Sequence, residues 1–203
     1  MADMIPDNIV ELHRRAVARF GGLVHHIRPD QWELPTPCTE WNVRALVNHV
    51  TGEDLWAEAL FGGRTIAEVG GSLDGDVLGD DPVATWDRAA AASLELIESP
   101  GAMTQLVDLS RGPTPGREYL VELFTDHLMH GWDLAQGIGD TGVAAVDPEA
   151  VHASKEWFAT VEDAYRRVGA IAERPPIAED ADELTVFLAM TGRSWDWRSS
   201  PPR

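Results

Sequence analysis

The sequence predicts an all-α protein built on a four-helix bundle. Four long segments carry apolar residues at helical spacing, and most of them begin at a capping residue or a proline. The 203 residues, 44% of them hydrophobic, suffice for one well-packed domain. No internal repeat interrupts this reading, so we expect one bundle with additional C-terminal helices.

The first two helices are predicted on either side of a stiff connector. Apolar residues at helical spacing indicate a first helix from Asp7 to about Ile27. Asn42 is a good N-cap for a second helix that runs to about Phe61. The connector between them contains three prolines, Pro29, Pro35 and Pro37.

A loop rich in glycine and aspartate spans 62–81, and further helices follow it. Asp81-Pro82 caps a third helix to about residue 98, and 102–110 is compatible with an extended segment. Thr114-Pro115 opens a fourth helix that ends near Gly137. The remaining predictions are a fifth helix at 148–168, a linker, a short helix at 182–191 and an irregular tail. We therefore divide the chain into a bundle at 1–170 and a C-terminal piece at 171–203 packed on the same domain.

The length of the second connection predicts the topology. About twenty extended residues reach roughly 60 Å, whereas a twenty-residue helix is roughly 30 Å long. The second and third helices can therefore run parallel, which gives an up-down-down-up bundle with the second and fourth helices antiparallel. In that arrangement His49 and His130 both lie roughly 10 Å from the same end.

His49, Asp126 and His130 are the candidate metal ligands. Asp126 and His130 are four residues apart, so they share one face of the fourth predicted helix. His49 lies at the matching depth of the second helix. Two imidazoles and a carboxylate suit Zn²⁺, with nickel or iron also compatible, and three ligands leave a position open for water or substrate.

Neighbouring residues leave alternatives open. Glu53 is a candidate general base or fourth ligand, or else a solvated helix residue. His127 is either a ligand in place of Asp126 or a hydrogen-bonded core histidine. Asp133 either orients a ligand histidine or caps a surface. Cys38, the single cysteine, is a weak candidate for a nucleophile.

Charge and composition exclude several partners. The net charge of −18 argues against nucleic acid and against anionic membranes, because both require clustered Lys and Arg. One cysteine permits no intramolecular disulfide, and neither a signal peptide nor a membrane span is evident, so we expect a cytoplasmic protein. The eight tryptophans leave open either a monomer or a homodimer.

Two segments, PTPCTEWNVRALVNHVTGE and YLVELFTDHLMHGWDLAQGIG, resemble the actinobacterial metal-binding proteins of the DinB-like superfamily. That group includes the N-terminal domain of mycothiol-dependent maleylpyruvate isomerase. The resemblance implies a four-helix bundle with a divalent metal, most simply zinc, held by His49, His130 and the acidic residue four positions earlier. The isomerase has Glu at that position, and this chain has the shorter Asp126.

The resemblance also implies chemistry with a low-molecular-weight thiol such as mycothiol and a small electrophile. A metal lowers the pKa of a thiol and presents the thiolate as a nucleophile, for S-transfer or for isomerisation of a double bond. We therefore expect a metal-dependent thiol transferase or isomerase. The alternatives are a non-catalytic bundle that binds a metal or small ligand, and an interaction module that pairs helix faces.

Overall fold

The computed structural model describes residues 4–140 and 146–198. Within them the chain is all-α apart from one small hairpin. In chain order the elements are α1 (Ile9–His25), α2 (Val43–Phe61), α3 (Ile66–Val69), α4 (Pro82–Ile97), β1 (Leu106–Leu109), β2 (Gly112–Pro115), α5 (Gly116–Ile138), α6 (Pro148–Phe158), α7 (Glu162–Arg167) and α8 (Glu183–Met190).

The ends of the long helices follow from local chemistry. The side chain of Asn42 accepts a hydrogen bond from the backbone of Ala45 at the start of α2, which satisfies one of the free N–H groups there. Asp81 caps α4 in the same way, with Pro82 in the first turn. Gly139, at φ 69°, ends α5 in the left-handed conformation that glycine adopts without strain.

Helices α1 and α5 run in the same direction. Near their beginnings, Arg117 donates a hydrogen bond of 2.6 Å to the carbonyl oxygen of Ile5. Further along both helices, the rings of His13 and His127 meet edge to face with centroids 5.1 Å apart. Residue numbers therefore rise together along this pair, which makes the two helices parallel.

Helix α2 runs against α5. Phe61, at the end of α2, stacks on Tyr119 near the start of α5 with centroids 5.8 Å apart. Nearer the middle of the pair, Asp54 lies 3.2 Å from the Nε2 atom of His127. The numbers rise in one helix as they fall in the other, so α2 and α5 are antiparallel.

Helix α4 runs against α1 and completes the bundle. Arg14 of α1 pairs with Glu98 just after α4 at 2.7 Å, and His25 pairs with Asp87 at 2.8 Å. With α1 and α5 pointing one way and α2 and α4 the other, the topology is up-down-down-up. The predicted fold class and the predicted antiparallel pairing of the second and fourth long helices are confirmed.

Three local expectations were wrong or incomplete. The predicted loop 62–81 contains the short helix α3, which is stabilised by a reciprocal capping box between Thr65 and Glu68. The extended segment is shorter than predicted and pairs with residues 112–115 in an antiparallel hairpin. The predicted fifth helix is broken after Phe158, and α7 follows as a separate turn.

The C-terminal elements lie against α6. Glu183 at the start of α8 bonds to His152 and Lys155 of α6, at 3.0 and 2.7 Å. Beyond α8, the predicted irregular tail has neither helix nor strand up to residue 198, and 199–203 lie outside the described residues. Within the described ranges, every helix is too short or too polar to cross a lipid bilayer.

Candidate metal centre

His49, Asp126 and His130 meet between α2 and α5, near one end of the bundle. The antiparallel packing brings His49 of α2 beside the turn of α5 that carries the other two. One potential ligand atom from each of the three lies within 4.8 Å of the others. Among the described residues, this is the single group of His, Cys, Asp and Glu that comes together with such spacing.

Asp126 is the shared partner of both histidines. Its Oδ2 atom lies 3.2 Å from Nε2 of His49, and its Oδ1 atom lies 3.4 Å from Nε2 of His130. The two imidazole rings are nearly perpendicular, with centroids 5.0 Å apart. Each residue therefore turns a potential ligand atom toward the same small volume.

Asp133 and Arg193 hold His130 from behind. The Nδ1 atom of His130 lies 3.0 Å from Oδ2 of Asp133, and Arg193 donates a hydrogen bond of 2.9 Å to the same oxygen. Both side chains are buried. A carboxylate that accepts from Nδ1 keeps a proton there, so Nε2 turns its lone pair to the cluster once the ring is neutral.

Opposite charges within the cluster shift the pKa values of Asp126 and His130. Burial would raise the pKa of Asp126, but the charges of His130 and His49 outweigh it and hold that pKa well below its ordinary value. Burial opposes protonation of His130, but Asp126 and Asp133 together raise its pKa to about 9. Without a metal the cluster is therefore an ion pair, and a metal must displace the proton of His130.

Glu53 and Trp41 flank the cluster. Burial, followed by the negative charge of Asp126, raises the pKa of Glu53 to about 7. Glu53 makes no hydrogen bond or ion pair with another described residue. The ring of Trp41 lies over His49 and His130, with centroid distances of 4.5 and 5.4 Å, and limits how far the two imidazoles can turn.

Two cavities meet at this cluster. The first, of about 530 Å³, lies between α2 and the segment 73–77. The second, of about 650 Å³, lies between α5 and the C-terminal elements. We call them the loop cavity and the C-terminal cavity. Trp41, His49 and Glu53 line both, so a ligand in either cavity reaches the cluster.

The remaining sequence candidates fall elsewhere. His127 is fully buried, with Nδ1 bonded to the carbonyl of Leu123 at 2.8 Å and Nε2 facing Asp54, so it is a core histidine. Cys38 lines the C-terminal cavity, but burial raises its pKa to about 11 despite the nearby Arg193. A thiol with so high a pKa is a poor nucleophile.

Two residues that hold the histidines of α5 in place were not identified from the sequence. Arg193 follows a short apolar helix, and its position in the chain gives no sign that it reaches Asp133. Asp54 had a detectable signal, because it lies at the depth of His127 on the antiparallel partner helix. Asp133 was recognised as a candidate for orienting a histidine, and it lies where that role requires.

An up-down-down-up bundle with a His, Asp, His cluster at one end defines the class of DinB-like proteins with a candidate metal site. A family model for the mycothiol maleylpyruvate isomerase N-terminal domain matches residues 13–135, which is more than half of the chain. The chain belongs to this family. The matched region includes His49, Asp126 and His130.

Relatives extend the similarity beyond the family match. Two proteins described as uncharacterized, from Mycobacterium tuberculosis strains CDC 1551 and H37Rv, are each 34% identical over 190 residues. The similarity covers 89% of this chain and 97% of each relative. No solved structure gives a significant match to the chain.

Proposed function

We propose that this protein binds a divalent metal, with zinc as the first choice, and uses it to activate a low-molecular-weight thiol for S-transfer or isomerisation. The observation that carries the proposal is the convergence of His49, Asp126 and His130 within 4.8 Å at the junction of two cavities. Membership of a mycothiol-related family supports mycothiol as the thiol.

The donor set fits such a metal. Two imidazole nitrogens and one carboxylate form a common three-ligand set for zinc, and a fourth position is left for substrate. The hydrogen bond from His130 to Asp133 supports the same conclusion, because ligand histidines usually donate their second N–H to a carboxylate. Nickel and iron accept the same donors, so the ligands do not select the metal by themselves.

Each residue has a role in the proposed reaction. A divalent metal held by His49, Asp126 and His130 would lower the pKa of a bound thiol, so that its sulfur could act as a nucleophile near neutral pH. Glu53, whose pKa is about 7, accepts the thiol proton and returns it to the product carbon. In S-transfer by addition, sulfur bonds to one carbon of an activated double bond, the π bond breaks, and the proton held by Glu53 passes to the other carbon. In isomerisation the same bond forms and breaks again after rotation.

Metal analysis tests the site. Wild-type protein purified without chelators should hold close to one equivalent of metal, whereas His49→Ala and His130→Ala should hold almost none. His25→Ala is the matched control, because His25 also faces an aspartate but lies on the surface. Full occupancy in both site variants would reject the proposed ligands.

Turnover tests the chemistry separately. Metal-loaded protein should accelerate the addition of mycothiol to a panel of electrophiles, and Glu53→Gln should slow it while leaving metal content unchanged. If Glu53→Gln instead loses metal, Glu53 is a fourth ligand. That result, together with a lack of turnover, would favour the non-catalytic metal-binding alternative, in which the metal has no open position.

A further inference from the structure

The cationic side chains around the two cavities are already neutralised. Among the described residues, Arg44 is the one Lys or Arg that lines the loop cavity, and Arg193 is its counterpart in the C-terminal cavity. Arg44 lies 2.8 Å from Oδ2 of Asp76, and Arg193 lies 2.9 Å from Oδ2 of the buried Asp133. Each guanidinium therefore already has a carboxylate partner.

The carboxylates that face the C-terminal cavity are less fully neutralised. Glu53 has no Lys or Arg partner among the described residues, and Glu40, which is exposed, has none either. Glu122 also lines this cavity and is paired with Arg111, at 2.5 and 3.2 Å. The lining of the C-terminal cavity therefore contains carboxylates that no described Lys or Arg neutralises.

A metal at the cluster does not reverse this balance. A divalent cation adds two positive charges, which Asp126 and an incoming thiolate balance, while Glu53 is neutral once it holds the thiol proton. Any further anion would enter a partly buried space where the described residues offer no free counter-charge, beside the unpaired Glu40, and burying an unpaired charge is costly. The same holds in the loop cavity, where Arg44 is already paired with Asp76.

The rest of the C-terminal cavity is aromatic. Its wall includes Tyr119, Trp157, Phe158 and Tyr165. Aromatic faces attract cations and pack against uncharged planar groups. The lining thus combines a surface that suits neutral or cationic ligands with carboxylates that repel anions.

From this charge distribution we propose that the second substrate of the site is an uncharged or cationic electrophile, and that electrophiles bearing carboxylates are rejected. This inference rests on the proposed function, since it concerns the partner of the thiol. It also separates this chain from the reaction in its family's name, because maleylpyruvate carries two carboxylates.

Three maleimides that differ only in charge provide the test. The compounds are N-ethylmaleimide, its N-carboxymethyl analogue and its N-(2-aminoethyl) analogue. In each reaction sulfur bonds to one carbon of the double bond, and the thiol proton passes to the other carbon. With mycothiol and zinc-loaded protein, and after subtraction of the uncatalysed rate, we expect kcat/KM to be at least tenfold lower for the carboxylate than for the other two.

A binding measurement judges the charge preference without turnover. The three corresponding succinimides do not react with thiols, and calorimetry on zinc-loaded protein saturated with mycothiol, which occupies the open metal position, gives their dissociation constants. We expect the anionic compound to bind at least tenfold more weakly than the neutral one, and the ratio to shrink as salt is added. Glu122→Gln frees Arg111 and should also reduce the ratio of the two dissociation constants. Glu98→Gln makes the same charge change in a pair outside both cavities and should leave that ratio unchanged.

The outcomes separate the two proposals. An anionic succinimide that binds as tightly as the neutral one would overturn the inference, and so would a lack of binding by all three. Absence of turnover with every maleimide, alongside the expected order of succinimide affinities, would reject the proposed reaction and leave the charge preference standing. Equal kcat/KM values for all three maleimides would overturn the preference and retain the reaction.

Discussion

Two His–carboxylate clusters lie between α2 and α5, and they differ in almost everything except residue type. His49, Asp126 and His130 form the candidate metal centre, where the side chain of Asp126 is 24% exposed. Asp54 and His127 form the second, which we call the core pair, and both of its side chains are fully buried. The two clusters lie side by side in the chain, since Asp126 directly precedes His127.

The difference shows that access to a cavity, more than residue type, separates a site from a core. Both ring nitrogens of His127 are occupied, and Oδ1 of Asp54 accepts a further bond of 2.7 Å from Ser93. No ligand atom of the core pair is left over. In the candidate centre, the Nε2 atoms of the histidines face Asp126 beside a cavity that admits a ligand.

The largest expected effect is loss of stability when the core pair is broken. Burial disfavours charge on His127, but Asp54 outweighs it and raises the pKa of His127. Asp54→Ala would leave this histidine buried without its counter-ion, and breaking such a pair costs about 3–5 kcal/mol. Urea denaturation of the metal-free protein should show a loss of this size.

Two controls accompany that measurement. Replacing both members, as in Asp54→Leu with His127→Leu, should cost less than the single change, because apolar substitution of a whole buried pair is often tolerated. Asp87→Ala, which breaks the exposed pair with His25, should cost less than about 1 kcal/mol. A single-variant loss as small as that of the surface control would show that the core pair is not structurally important.

The second effect is loss of metal affinity at Asp126. Removing a residue that only hydrogen-bonds to a metal ligand lowers metal affinity about 10–100-fold. Because Asp126→Ala removes a proposed ligand itself, it should weaken zinc binding at least about 100-fold. Asp126→Glu, which places the longer family residue there, should stay within about tenfold of wild type. Competition with a chromophoric chelator measures both. Wild-type affinity in Asp126→Ala would remove this residue from the ligand set, and a large loss in Asp54→Ala would erase the distinction between the clusters.

The sequence was sufficient for the bundle because its signals are local and strong. Asn42 and Asp81-Pro82 set helix starts, and the length of the second connection allowed α2 and α4 to run parallel. The convergence of His49 with Asp126 and His130 followed from the antiparallel pairing and their similar depth. These inferences needed only helix rise and side-chain periodicity.

The surroundings of the site could not be predicted in the same way. Whether His127 or Asp126 faces the cavity depends on how α5 is rotated, and consecutive helical residues differ by only about 100°. The contact of Arg193 with Asp133 spans 60 residues and depends on how the C-terminal segment folds back. The break between α6 and α7 likewise gave no clear signal, because the segment 159–161 contains neither glycine nor proline.

The third effect concerns pH and His13, which lies against the core pair. Burial, with a further contribution from His127, holds the pKa of His13 well below its ordinary value, and neither ring nitrogen has a hydrogen-bond partner. In the unfolded chain His13 therefore binds a proton near pH 6.5, whereas in the folded protein it stays neutral. Because the unfolded state binds more protons, this residue destabilises the fold as the pH falls. Its contribution is favourable above that pH and is lost below it.

The variant His13→Leu isolates this contribution, because His127 and His130 titrate in the opposite direction and affect both proteins. The free energy of unfolding of His13→Leu relative to wild type should rise by about 2 kcal/mol between pH 7 and pH 5. Urea denaturation at several pH values measures it. A difference that stays constant with pH would mean that His13 binds a proton as readily in the folded protein as in the unfolded chain.

The smallest effect lies behind the candidate centre, at Asp133. Asp133→Asn keeps an oxygen that can accept from His130 but removes the charge that makes this imidazole a stronger ligand, so zinc affinity should fall about tenfold. Asp133 also raises the pKa of His130, and the variant therefore loses less at pH 7, where the wild type must release that proton, than at pH 9. Asp87→Asn, at a surface pair with His25 of similar length, should leave zinc affinity unchanged at both pH values. Equal losses at the two pH values would show that Asp133 only positions the ring, whereas a loss that grows with pH would show that its charge adjusts the basicity of His130 as well.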